Sequence, residues 1–145
     1  MALKNFEEYV QEGIVNKVKP DYERAKSLVK TAERKMRSLI ENIQKVGIKD
    51  ENANDYIEYC YDTLMILIRA KMLLKGYNSS GFKAHEAEVS YMRVLGFKEN
   101  DVRAADQMRF FRNGILYYGT ILDKEYAEKV VSFTKENYQK LKALS

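Results

Sequence analysis

Arg112 is the residue whose position asks most directly for chemistry. Ala105, Met108, Arg112 and Ile115 recur at three- and four-residue steps, which places a guanidinium inside the apolar stripe of a helix rather than on its charged side. A buried arginine needs an anion. A phosphate ligand held bidentately would serve, and so would a carboxylate of the protein such as Asp62; the spacing leaves both open. Gly114 costs a helix about 1 kcal/mol relative to alanine, so it marks a bend, a close backbone approach or a tight crossing by another helix. His85 is the one imidazole in the chain. It opens the helix before the arginine helix, which puts a group that titrates near neutrality either close to Arg112 or in solvent against a carboxylate such as Glu88.

Other chemistries find little support. The chain has no glycine-rich phosphate loop, no Ser, His, Asp set of hydrolase type and, with one His and one Cys, no soft or imidazole ligand set for a transition metal. No metal and no cofactor are expected. Glu58 and Asp62 share a helix face and have the donors for Mg²⁺, but such pairs usually face solvent or nearby Lys and Arg. Lys26, Lys30, Arg34 and Arg37 run along one side of a helix, either as a track for a phosphate backbone or as a solvated face.

The elements that must position these groups are helices. A composition of 46% hydrophobic and 32% charged residues over 145 positions, with one Pro and seven Gly, suits long amphipathic helices in one domain, residues 1–145. Turn signals and periodicity predict six helices near 2–17, 20–46, 54–76, 82–95, 100–118 and 123–143, an all-α, up-and-down bundle. Pro20 suits a first helical turn, and Asn54, Asn100 and Asp123 suit N-caps. Leu64 to Ile68 is apolar on every side, so this segment is expected to be enclosed by other helices or by a partner subunit. The net charge of +4 is mild and well mixed, permitting an RNA partner without demanding one. The lone Cys60 cannot form an internal disulfide, and the acidic N-terminal segment lacks the apolar core of a secretory signal, so a reducing cytoplasm is expected. The most apolar stretch is broken by Arg69 and Lys71 and falls short of the roughly 20 residues that span a bilayer, so no membrane anchor is expected.

Two segments carry a resemblance. Arg112-Asn113, then Gly-Ile-Leu, then Tyr117-Tyr118-Gly119 is similar to the C-terminal helix of HEPN proteins, which carries Arg, a polar residue that is often Asn, a short spacer and a His. The run from Ile68 to Tyr77, followed by Ser-Ser-Gly-Phe-Lys-Ala-His85, resembles the alanine- and leucine-rich helix and His-containing helix start of the same family. Together they cover roughly residues 54–140, and the first 50 residues lie outside the resemblance. It implies a HEPN-type bundle of five to six helices that binds nucleotide or RNA. It also implies a homodimer and a minimal nucleotidyltransferase partner, as in toxin–antitoxin pairs. Active members are metal-independent ribonucleases that use the Arg and the His together. Here Tyr117 stands where the family His stands, and a phenol with an ordinary pKa of about 10 is a poor base at neutral pH.

The resemblance therefore implies a catalytic set of Arg112, Asn113 and Tyr117, and the position of His85, at the start of the preceding helix, offers a replacement base. Arg112 and Tyr118 would contact nucleotide or RNA; the basic face of Lys26, Lys30, Arg34 and Arg37, which lies outside the resemblance, would follow its backbone. Tyr117 and Tyr118 are alternatively acceptors for nucleotidylation, or packing residues. At about 100° per residue, Arg112 and Tyr117 point about 140° apart on a straight helix, so joint action needs a bend at Gly114 or a second subunit. The competing reading is a non-catalytic homodimeric scaffold in which Arg112 is structural.

Overall fold

Six helices and one short antiparallel ribbon form among residues 3–144, the part of the chain that the computed structural model describes. In chain order they are α1 (Phe6–Gln11), β1 (Val15–Lys17), α2 (Tyr22–Val46), a 3-10 turn (Asp50–Asn52), α3 (Ala53–Leu74), β2 (Tyr77–Ser79), α4 (Ala84–Val94), α5 (Glu99–Tyr118) and α6 (Lys124–Ala143). The class is an all-α helical bundle, and the ribbon is its only sheet among the described residues.

Helix α3 forms the axis because its apolar residues leave no single face for solvent. Ile57, Leu64, Leu67, Ile68 and Met72 are fully buried, each removing an amount of apolar surface from water that stabilises the fold by about 1.5–3 kcal/mol. Helices of the same chain enclose it. α2 runs antiparallel to α3, with the Asp21 amide donating to Leu73 O at one end (3.1 Å) and Lys35 over the Tyr59 ring further along. α6 runs parallel: the Lys124 amide donates to Asp50 near the start of α3, and Lys71 reaches Leu144 O near its end. α5 is antiparallel again, its end stitched to the start of α3 by Asn54, which donates to Thr120 O (2.9 Å) and accepts from the Leu122 amide (2.9 Å). Burial pushes the Cys60 thiol up to about 11, so it packs as a protonated side chain.

The N-terminal segment departs from the expected helix 2–17. Residues 1 and 2 lie outside the described part; beyond them α1 stops at Gln11 and the chain turns at Gly13, whose φ of +80° few other residues adopt without strain. Val15, Asn16 and Lys17 then pair with Ser79, Asn78 and Tyr77. Three residues per strand show no readable alternation, and the partner strand lies far along the chain. Pro20 precedes the helix, whose N-cap is Asp21, accepting from the Arg24 amide at 3.0 Å. Asn54 and Asn100 fall inside their helices, which begin at Ala53 and Glu99, so they are not caps. Asp123 does cap α6, accepting from the Tyr126 amide at 2.9 Å. The described helices include none long and apolar enough to cross a membrane.

A candidate anion site around Tyr61

Three helices converge on one buried ring. Tyr61, on α3, is fully enclosed. The Arg112 guanidinium, from α5, lies 5.7 Å from the ring centroid. His85, from the first turn of α4, meets the same ring edge-on at 5.8 Å between centroids. The two residues singled out in the sequence are thus brought to one aromatic side chain that the sequence reading passed over.

The two ends of this cluster differ in how well they are bonded. Glu88 is 1% exposed and accepts from Arg69 Nε (2.9 Å), Arg69 Nη2 (3.2 Å) and Ser79 Oγ (2.8 Å), with His85 Nδ1 at 3.0 Å. Burial alone would raise its carboxyl, but the hydrogen bonds from His85 and Arg69, with the Arg69 charge and Ser79, outweigh that and hold it below the usual carboxylate range. Arg112 is held far more loosely. Its Nη2 reaches Asp62 Oδ1 at 3.4 Å, at the limit of a hydrogen bond, and its buried Nε has no partner. The buried Tyr61 hydroxyl likewise has none. Burial, then the Glu88 charge, pushes that phenol far above its ordinary value, so it stays protonated and available to donate. Glu58, one turn before Asp62, is also raised, first by burial and then by Asp55, while Arg112 opposes the rise.

Gly114 has a local explanation. A Cβ there would meet the Thr120 Oγ1 at 2.7 Å, because the chain after α5 folds back and donates the Thr120 amide to Gly114 O (3.1 Å). The glycine admits a returning loop rather than a crossing helix, and α5 runs on uninterrupted from Glu99 to Tyr118.

The remaining residues named from sequence lie elsewhere. Asn113 is half-buried on α5. Tyr117 and Tyr118 are 71% and 85% exposed and stand in solvent, with Phe110, Leu116 and Ile121 exposed on the same end of the helix and its loop. Lys26, Lys30, Arg34 and Arg37 are exposed along α2, and no ion pair among the described residues ties them to the Tyr61 cluster. Sequence reasoning missed Tyr61 and Arg69 as members of the cluster. A charge interrupting an apolar helix was the available signal for Arg69; Tyr61 gave none, being one more aromatic in a helix buried all round. No group of His, Cys, Asp and Glu among the described residues is placed to hold a metal ion. No family model, curated protein or solved structure matches the chain.

Proposed function

We propose that this chain is a HEPN-like domain that binds RNA or a nucleotide, with Arg112 as the phosphate-holding group. The observation that carries the reading is the under-bonded Arg112: a largely buried guanidinium with a free Nε, beside an unpartnered phenol and within one ring of the only histidine. Arginine presents a planar fork that suits phosphate, and buried polar atoms without partners cost free energy that a ligand oxygen recovers.

In this reading the Arg112 guanidinium binds the anion beside the Tyr61 ring, and His85 takes the proton-transfer role that Tyr117, out in solvent, cannot. The exposed Phe110, Leu116, Tyr117, Tyr118 and Ile121 toward the end of α5 support association with a second copy, since exposed large apolar side chains there would be buried by a partner. A nucleotidyltransferase-like partner, with Tyr117 and Tyr118 as its accessible acceptors, follows from the family resemblance. The contact of Arg112 with Asp62 favours the second reading, a scaffold in which the arginine only pairs with a carboxylate.

The test is binding and cleavage of mixed single-stranded RNA with EDTA present, comparing wild type with Arg112→Ala, His85→Ala and Tyr117→His. A charge-assisted contact of 1.5–3 kcal/mol predicts a loss of about tenfold or more in affinity for Arg112→Ala. Unchanged affinity in a folded Arg112→Ala protein would sink the proposal and leave the scaffold. Cleavage by wild type that both Arg112→Ala and His85→Ala abolish would make the domain a ribonuclease with a relocated base. Cleavage by Tyr117→His alone would mean the family chemistry has been lost here.

A further inference from the structure

The four-donor carboxylate Glu88 constrains more than Arg69. A carboxylate that is buried, ionised and already accepting from a guanidinium fork and a hydroxyl has no proton to give. The imidazole nitrogen 3.0 Å away must therefore be the donor. We infer that Glu88 is a positioning residue that locks His85 in the Nδ1-protonated tautomer, leaving Nε2 as a bare proton acceptor on the edge of the ring turned away from the carboxylate.

The geometry supports this on both sides of the ring. Glu88 is 1% exposed, so the Nδ1 edge faces inward, whereas the His85 side chain as a whole is 41% exposed, so the ring runs from a buried carboxylate toward solvent. Ring rotation is opposed by the edge-on contact with Tyr61. Glu88 itself cannot swing, because Arg69 grips both of its oxygens and Ser79 donates to one of them. Ser79 ends β2, so the β1–β2 ribbon is part of the same support. A carboxylate that fixes which imidazole nitrogen carries the proton is a recurring device where the other nitrogen must bind or accept. Its use here rests on the reading that a phosphate and its ribose dock beside Arg112, where a bare Nε2 accepts a hydrogen bond from a hydroxyl of the ligand.

Because the chain has one histidine, a single imidazole spectrum decides the matter. Long-range proton–nitrogen correlation on ¹⁵N-labelled full-length protein, at a pH where imidazole is neutral, should show a protonated, pyrrole-type Nδ1 and an unprotonated, pyridine-type Nε2. A protonated Nε2 in the wild type overturns the inference without any variant. The double variant Glu88→Leu with Arg69→Leu removes the acceptor together with its counter-ion and should shift the ring toward the Nε2-protonated form that free imidazole favours in water; a folded double variant with the wild-type tautomer also overturns it. Adding a short single-stranded RNA should then move the Nε2 resonance. A locked tautomer whose Nε2 resonance ignores RNA supports the lock and removes the phosphate reading beneath its use, so the two fail separately.

Discussion

Glu88 bonds the imidazole that meets the Tyr61 ring and Arg112 lies beside that ring, yet one is saturated with partners and the other is not. Every strong donor around Glu88 is used, and the result is a brace between α3, α4 and β2. Arg112 has a distant carboxylate, an unpartnered Nε and a neighbouring phenol in the same condition. Under the proposed function, one end of the cluster is structural and the other is where a ligand would bind.

The largest test of that contrast is Glu88→Ala. It leaves Arg69 without its counter-ion, and since Arg69 keeps some contact with water the cost is about 3 kcal/mol, the low end for a broken buried pair, read by denaturant unfolding. Acid probes the same brace. The fold lowers the Glu88 pKa, so its stabilisation is complete above the ordinary carboxyl range and is lost as pH falls through the folded-state value. The melting temperature of wild type should therefore drop more steeply with acidification there than that of Glu88→Gln.

Gly114→Ala comes next. The overlap with Thr120 Oγ1 costs about 1–3 kcal/mol, against about 1 gained in helix propensity, for a net loss of up to about 2. Adding Thr120→Ala should recover part of it; no recovery would mean the loop is not what the glycine accommodates. Arg112→Ala should cost less than about 1 kcal/mol of stability, because its ion pair is long and partly exposed, while affinity for RNA falls. A stability loss as large as that of Glu88→Ala would erase the distinction between the two ends. Smallest of all, Lys26→Ala with Lys30→Ala should leave stability within about 0.5 kcal/mol, and if α2 tracks RNA the salt dependence of binding should lose about one unit of slope per lysine.

What was legible followed from local physics. The long helices α2, α3, α5 and α6 announce themselves through periodicity, as in Ala25, Ala32 and Leu39, and through caps such as Asp123 and Gly119. The apolar-stripe position of Arg112 and the i,i+3 pairing of His85 with Glu88 were readable from helical spacing and charge complementarity, whereas Asp62, on another helix, could be named only as one candidate carboxylate. The ribbon was not, since Val15 to Lys17 has meaning only beside Tyr77 to Ser79. Nor was Tyr61, whose role depends on which of many buried aromatics two other helices happen to meet. Asn54 deceived for a related reason: its side chain looks like a cap but is spent on the α5–α6 loop.

The ribbon also orders events in time. Its hydrogen bonds join Lys17 to Tyr77, so the chain must close a loop holding all of α2 and α3 before they form. Such distant contacts form only after the intervening segments have condensed. Three pairs of residues add little cohesion of their own, so amides there should exchange with solvent well ahead of those in α3, through openings that leave the bundle intact. Each opening frees Ser79 from its place beside Glu88 and loosens the seat of the imidazole.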